Sequence, residues 1–225
     1  MQRMNDLRFT LLSDGSSDRV LIPILRWLLR RNGVTRAIQS AWADLRQLPR
    51  PPKTLIDRIR AGIDLFPADL FFIHRDAERL SYADRKTEIV RTISSCDWPL
   101  DSTIPVCVVP VRMQEAWLLF DETAIRHAAG NPSGEQPLEM PAQHGIESLP
   151  DPKSILHGLL KEASGLSGRR RRRFRPQMSA GRVVEFLNDF SPLLNLHAFR
   201  QLDRDLKEVI DERHWRRTVA RDQRH

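Results

Sequence analysis

The chain has 225 residues, a formal net charge of +7 at pH 7 and a hydrophobic fraction of 40%. That length allows a proper hydrophobic core, and the 29% of charged residues is ordinary for a globular protein, which excludes wholesale disorder. The excess of Lys and Arg favours a polyanionic partner, but a basic composition alone does not specify nucleic acid.

Nothing in the sequence predicts secretion or membrane insertion. The N-terminal segment MQRMNDLRF has charges where a signal peptide needs an apolar segment, and no apolar run reaches membrane-spanning length. The two cysteines, Cys96 and Cys107, lack the spacing of a metal site and are typical of spare thiols in a reducing compartment. We therefore expect a cytoplasmic protein.

The first 130 residues alternate short apolar runs with longer amphipathic segments. The apolar runs predict strands at 8–12, 37–42, 69–73 and 106–109. Apolar residues at helical spacing predict a first helix that ends at Asn32 and Gly33, and further helices at 55–63, 81–95 and 114–130. Strands that alternate with helices predict an α/β fold, with a mostly parallel sheet and helices on both faces.

The composition changes after residue 130. Residues 131–152 are rich in Pro, Gly, Ser and Glu, which predicts a long loop or linker. Beyond it the patterns are helical, at 155–163, 180–190 and about 196–213, with an arginine-rich loop at 168–176. The sequence therefore predicts an α/β domain over 1–130 and a helical extension over 153–225.

Acidic residues follow three of the predicted strands. Asp14 and Asp18, in DGSSD, follow the first strand, and Asp76 and Glu78, in RDAE, follow the third. Glu115, in MQEAW, follows the last strand. Ligands of open parallel sheets bind at the carboxyl ends of the strands, so these carboxylates are expected at one rim. A hard divalent cation would relieve their repulsion, and Mg²⁺ or Mn²⁺ can polarise a phosphoryl group and generate hydroxide.

Each acidic motif also has an ordinary structural interpretation. Asp-Gly is common in turns, and Asp18 is a suitable residue for the start of a helix. Asp76 and Glu78 can solvate a loop and pair with neighbouring arginines, while Glu115 suits the first turn of a helix. His74 is interpreted as a packing or hydrogen-bonding residue. The sequence leaves both interpretations of these acids open.

A run of arginines interrupts the helical second half. It consists of Arg169, Arg170, Arg171, Arg172 and Arg173, followed by Phe174 and Arg175. Guanidinium groups bind phosphate bidentately, so the backbone of DNA or RNA is the expected partner, and Phe174 is expected to stack on an unpaired base. The alternatives are a solvated loop and a loop that binds an acidic protein.

DGSSD, followed after an apolar strand by RDAE, resembles the Toprim fold, the metal-binding domain of topoisomerases, bacterial primases and overcoming-lysogenization-defect nucleases. The nuclease branch has Glu-Gly-x-Thr/Ser-Glu after its first strand and Asp-x-Asp after its third. On that resemblance Asp14 has the place of the acid/base glutamate and Asp18 that of the second acid. Asp76 and Glu78 match the Asp-x-Asp pair. Asp14 is one methylene shorter than the family's residue and Glu78 one longer; the two changes either offset each other across a shared ion or mark a site that no longer cuts.

The resemblance continues beyond the predicted sheet. MQEAWLLFDETAIRHAAG and DPKSILHGLLKEASG resemble segments of uncharacterised Toprim-like proteins, some encoded beside ATPases in prokaryotic defence loci. This implies a Mg²⁺- or Mn²⁺-dependent nuclease with Asp14 and Asp76 as catalytic residues. Asp76 and Glu78 are then the main metal ligands, Asp18 and Glu115 are supporting ligands, and Asp14 is the acid/base residue or a further metal ligand.

The resemblance also implies a partner and a setting. The chain has no Gly-x-x-x-x-Gly-Lys-Ser/Thr loop, so an ATPase would be a separately encoded subunit, and anti-phage defence is the implied setting. A catalytically inactive docking or regulatory subunit, or a plain nucleic-acid-binding protein, is the alternative to a nuclease.

Overall fold

The structure is a computed structural model that describes residues 6–99 and 102–216. A four-stranded sheet has the strand order β2-β1-β3-β4, and every neighbouring pair is parallel. The strands are β1 (Leu7–Leu12), β2 (Ile38–Trp42), β3 (Leu70–His74) and β4 (Ile104–Val108). The predicted α/β fold with a parallel sheet is confirmed, and each strand lies close to its predicted position.

Helices connect the strands and form most of the second half. The α-helices are α1 (Leu21–Arg31), α2 (Leu55–Leu65), α3 (Tyr82–Ser94), α4 (Glu122–Ala128), α5 (Pro152–Ala163), α6 (Gly168–Arg173), α7 (Pro176–Ala180) and α8 (His197–Glu212). Short 3₁₀ helices lie at Ser16–Val20, Leu45–Gln47, Gln114–Leu118, Gln143–Ser148, Val183–Phe186 and Ser191–Asn195. In the described part of the chain, no helix is both long enough and apolar enough to cross a bilayer.

Three helical segments differ from their predictions. The single helix predicted over 114–130 is a 3₁₀ helix followed by α4, because the Asp121 carboxylate accepts a hydrogen bond from Ala124 N and starts a new helix. The helix predicted at 180–190 is reduced to a 3₁₀ helix, and the Asp189 side chain accepts from Ser191 N in the turn that follows. The predicted arginine-rich loop is instead helical in α6, since arginine has a high helix propensity.

The sheet separates two hydrophobic layers. Side chains alternate along a strand, so Phe71 and Phe72 of β3 point into opposite layers. In the first layer Phe72 meets Phe9 edge to face at 5.3 Å, and α1, α5 and α8 pack there. Trp117 and Phe199 also belong to it, with ring centroids 5.0 Å apart. The helical second half therefore shares one core with the sheet, while α2 and α3 cover the other face.

The strand order creates a switch point between the two central strands. From β1 the chain passes through α1 to β2 on one side, and from β3 it passes through α3 to β4 on the other side. Since α1 and α3 cover opposite faces, the two crossovers diverge and leave a crevice at the carboxyl ends of β1 and β3. The segments DGSSD and RDAE begin at these two ends.

A close approach of α2 to the sheet gives a testable prediction. A Cβ added at Gly62 would lie 2.7 Å from Phe71 Cζ. Gly62→Ala should therefore lower the free energy of unfolding by about 1–3 kcal/mol, although alanine is the better helix former. Urea unfolding monitored by circular dichroism measures the change.

Gly158→Ala in α5 is the matched control, because nothing lies within 4 Å of an added Cβ there. It should raise the free energy of unfolding by about 0.5–1 kcal/mol. The packing of α2 on β3 would be contradicted if both substitutions changed stability in the same direction.

Candidate metal and catalytic site

Three acidic side chains from three separate loops come together around Gln114. Asp18 lies in the 3₁₀ helix after β1, Asp76 follows β3, and Glu115 follows β4. Gln114 Nε2 donates a hydrogen bond to Asp18 Oδ1 at 2.8 Å, and Gln114 N donates to Asp76 Oδ1 at 2.8 Å. Glu115 is the next residue, and its charge contributes to raising the pKa of Asp76. We refer to Asp18, Asp76 and Glu115 as the acidic cluster.

The turn after β1 explains how Asp18 comes to be buried. Asp18 Oδ2 accepts a hydrogen bond from Gly15 N at 2.8 Å, and Ser17 Oγ donates to Asp18 Oδ1 at 3.0 Å. The structural role of a helix-starting acid is thus present. The same carboxylate also contacts Gln114, which is 96 residues away in the sequence. Asp18 therefore both shapes its own turn and belongs to the acidic cluster.

The loops after β3 and β4 run side by side, which brings Asp76 to Gln114. Ala77 N donates to Pro110 O at 3.0 Å, and Glu78 N donates to Arg112 O at 2.9 Å. Glu78 and Arg112 have φ values of 54° and 64°, in the left-handed region that residues other than glycine rarely adopt. Such backbone conformations concentrate at functional sites.

His74, the last residue of β3, is buried next to the acidic cluster. Its Nδ1 lies 3.1 Å from Val108 O, which can only accept, so Nδ1 carries the hydrogen of this bond. Burial is the main cause of a lowered His74 pKa, which favours the neutral ring. The acceptor Nε2 then lies 3.6 Å from Asp76 Oδ1 and 4.0 Å from Asp18 Oδ2. The sequence had indicated a packing or hydrogen-bonding role for His74, and the structure adds its position beside Asp76.

Burial, followed by the charges of Glu115 and Asp18, raises the pKa of Asp76 to about 8. Glu78 adds to the increase, and the hydrogen bond from Gln114 N opposes it. A carboxyl group with that pKa retains its proton at neutral pH unless a positive charge replaces the proton. The acidic cluster therefore has the electrostatic character of a cation site.

Asp14 lies apart from the acidic cluster and pairs with two arginines. The Arg58 guanidinium donates hydrogen bonds to the Asp14 carboxylate and to the Ser13 carbonyl oxygen. Arg75 Nε lies 3.7 Å from Asp14 Oδ2. The Asp14 side chain is about half exposed, at 53%. It faces a cavity of about 170 Å³ beside the end of β1.

Glu78 is also paired with an arginine, although not with a neighbour in sequence. Glu78 Oε2 lies 3.4 Å from Arg85 Nη2, and the Glu78 side chain is 65% exposed. Glu88 of α3 fixes that arginine and Arg75 as well, at 2.5 Å and 2.6 Å. The five predicted ligands therefore divide into a group of three and two flanking acids with arginine partners.

Within residues 6–99 and 102–216, no three His, Cys, Asp or Glu side chains form a set arranged to hold a metal ion. Mg²⁺ does not require such a set, because proteins often bind it through one or two carboxylates, waters and substrate phosphates. Gln114 Oε1 is buried without a hydrogen-bond partner, next to the carboxylate oxygens of the acidic cluster. This hard-oxygen donor set fits Mg²⁺ or Mn²⁺, which Asp76 would hold together with Asp18 or Glu115.

Sequence reasoning did not single out Gln114 or Lys153. Lys153 of α5 places its Nζ 3.7 Å from Glu115 Oε1. The sequence could have indicated Gln114, since it directly precedes the predicted ligand Glu115. It could not have indicated Lys153, because the proximity of Lys153 to Glu115 depends on how α5 packs in the first layer.

The arginine run lies on α6 and its continuation. The side chains of 169–173 are all exposed. Phe174 is only half-buried, because one part of its ring packs against the core. The remaining surface of the ring lines a cavity of about 460 Å³.

Asp76 is expected to make the metal-free protein less stable as the pH rises. Its pKa is about 8 in the folded chain, against an ordinary value of 3.8. Between these values the unfolded chain gives up the proton and the folded chain retains it, so the free energy of unfolding falls as the pH rises. In EDTA, Asp76→Asn should therefore melt at a higher temperature than the wild type at pH 8. The difference should shrink towards pH 4, and a difference independent of pH would contradict the buried protonated carboxyl.

Comparison of the chain with models of protein families, with curated proteins and with solved structures found no match. The fold and the geometry of the acidic cluster are therefore the basis on which the function is proposed.

Proposed function

We propose that this protein is a metal-dependent nuclease that hydrolyses phosphodiester bonds in DNA or RNA. The observation that carries the proposal is the acidic cluster: three carboxylates from separate loops lie at the carboxyl edge of the sheet, where burial and the charges of Glu115 and Asp18 raise the pKa of Asp76 to about 8. A buried arrangement of like charges is costly for stability alone. A bound divalent cation would offset the repulsion between these carboxylates.

The roles of the residues follow from their positions. When bound, Mg²⁺ or Mn²⁺ would polarise a phosphoryl oxygen and lower the pKa of a water. Asp76 would hold the ion with Asp18 or Glu115, and hydrogen bonds from Gln114 fix the carboxylates of Asp76 and Asp18. Neutral His74 presents Nε2 to the same site as a hydrogen-bond acceptor.

The flanking acids and arginines have a separate role in this proposal. Asp14 is half exposed at the mouth of the crevice and acts on a water as acid or base. Arg58 and Arg75 stand beside it, and both are suited to bind the oxygens of the scissile phosphate. Binding of phosphate by these arginines would free the Asp14 carboxylate from its ion pairs.

We also propose that the chain belongs to the Toprim-like proteins. The parallel sheet and the positions of DGSSD and RDAE at the ends of β1 and β3 support this assignment. This assignment implies a separately encoded ATPase subunit, a role in anti-phage defence and a cytoplasmic location. The described cysteines are free thiols, in keeping with a reducing compartment.

A non-catalytic docking or regulatory subunit is the second candidate. It is favoured by the ion pairs of Asp14 with Arg58 and of Glu78 with Arg85, which occupy two of the acids expected at an active centre. In such a protein the arginines would neutralise the rim permanently, and no metal would be required at the flanking positions.

A cleavage assay distinguishes the two candidates. Asp76→Ala should reduce Mg²⁺- or Mn²⁺-dependent nicking of plasmid DNA, or degradation of RNA, by about 100-fold or more, because it removes the central ligand. Asp64→Ala, which removes an exposed carboxylate from α2, is the control and should retain the wild-type rate. A wild-type protein that binds nucleic acid but cleaves none with either ion would favour the non-catalytic subunit.

Gln114 should control the affinity for the ion. Gln114→Leu removes the donor to Asp18 and the unpaired Oε1, so Mn²⁺ binding measured by calorimetry should weaken by about 10–100-fold. Gln47→Leu is the matched control, since it breaks a 3.3 Å bond from an exposed glutamine to Asp44 outside the acidic cluster. Unchanged Mn²⁺ affinity in a folded Gln114→Leu variant would exclude the acidic cluster as the ion site.

A further inference from the structure

Two cavities adjoin between the acidic cluster and the arginine helix. The first, of about 120 Å³, reaches the cluster and is lined in part by Ser17, Gln114, Glu115, Lys153, His157 and Gln177. The second, of about 460 Å³, is lined in part by Lys161, Arg171, Arg172, Phe174, Arg175 and Gln177. Gln177 of α7 lines both, so the two cavities are neighbours, and we call them together the α5 groove.

Helix α5 supplies one wall along the whole groove. Lys153, His157 and Lys161 recur at intervals of four residues, so they lie on one face of α5. Lys153 is at the end next to Glu115, 3.7 Å from its carboxylate, and Lys161 is at the end next to the arginines. At about 1.5 Å per residue this stripe is about 12 Å long, roughly three to four nucleotide steps at the 3.4 Å rise of a B-form strand.

The outer end of the α5 groove has unsatisfied positive charge. Within the part of the chain that the structure describes, the guanidinium groups of Arg171, Arg172 and Arg175 pair with no carboxylate, and neither does the Lys161 ammonium. Nearer the site, by contrast, Arg85 pairs with Glu88 and Arg58 pairs with Asp14. Free cations that line a cleft attract a polyanion, and guanidinium groups suit phosphate oxygens in particular.

Phe174 adds an aromatic surface to the same cavity. Its ring is anchored on the core on one side and lines the cavity with the rest of its surface. Phosphate-binding cations beside an aromatic ring are the combination that binds single-stranded nucleic acid, whose unpaired bases are free to stack. The bases of a duplex are stacked on one another and do not present their faces to such a ring.

We propose that the α5 groove binds a single-stranded segment of DNA or RNA and leads its backbone from the arginine helix to the acidic cluster. The inference rests on the proposed nuclease function for the use of its inner end, and it specifies the substrate of that site as single-stranded. The arginines hold the phosphates, Phe174 stacks on a base, and the stripe on α5 guides the strand inwards. Gln177 marks the point at which the strand passes from one cavity to the other.

The run itself supplies a matched pair of variants for the test. Arg171, Arg172 and Arg175 line the α5 groove, whereas Arg169, Arg170 and Arg173 are exposed on the same segment but do not line it. Replacing either set by alanine removes three positive charges from exposed positions, where the fold tolerates the change. We call Arg171, Arg172 and Arg175 the groove set and Arg169, Arg170 and Arg173 the outer set. The two sets differ in position and not in charge.

Fluorescence anisotropy in EDTA measures binding without cleavage, with a labelled oligothymidine, an oligouridine of equal length and the corresponding duplex as probes. The wild type should bind each single strand about tenfold or more tightly than the duplex. The groove-set variant should lose about tenfold or more in single-strand affinity, and its slope of log affinity against log salt should fall by about 2, because three phosphate contacts are lost at about 0.7 each. The outer-set variant should keep the wild-type slope.

Equal losses in the two variants, equal binding of duplex and single strand, or no binding of any probe would each overturn the inference. Asp76→Ala separates this outcome from a failure of the proposed function, since it should bind the single strands as the wild type does and yet not cleave. If the wild type cleaves and the groove-set variant binds normally, the nuclease proposal stands and single-strand binding by the α5 groove is rejected.

Discussion

Three carboxylates lie in one partly buried crevice, and their mutual repulsion is the physical feature from which the proposed function follows. Partial burial and the neighbouring charges of Glu115 and Asp18 raise the pKa of Asp76 to about 8, so this carboxyl group keeps its proton to a higher pH than an exposed aspartate does. Such a group is not needed for stability, because an apolar side chain of similar size at that position would pack without a charge to desolvate. We propose a cation site, and through it a phosphate site, as the use of this arrangement.

The parallel sheet is what makes the arrangement possible. Its strand order sends the crossovers after β1 and β3 to opposite faces, and the loops after β3 and β4 are joined by hydrogen bonds between their backbones. Gln114 then reaches Asp76 with its backbone and Asp18 with its side chain. One residue thereby holds two of the three acids.

Electrostatic pairing divides the rim into two zones. Around Asp14 and Glu78 the arginines already compensate the acids, and Glu88 orders two of these arginines from α3. In the described part of the chain, Lys153 forms an ion pair with the acidic cluster, with its Nζ 3.7 Å from Glu115 Oε1. Positive charge is concentrated instead at the outer end of the α5 groove. The surface therefore changes from positive to negative along a path two helical turns long.

Sequence alone determined the α/β class, the four strands and the association of Asp14, Asp18, Asp76, Glu78 and Glu115 with strand ends. The pattern of apolar residues is local, and it predicts the strands. Ligands of parallel sheets bind at the carboxyl ends of the strands, which places the acids that follow those strands at one edge of the sheet. Only the tertiary structure decided which acids meet and which pair with arginines, because Arg58 and Arg85 come from other helices. It also decided that α5 lies beside the cluster, since that follows from packing of a shared core and leaves no periodic signal in the chain.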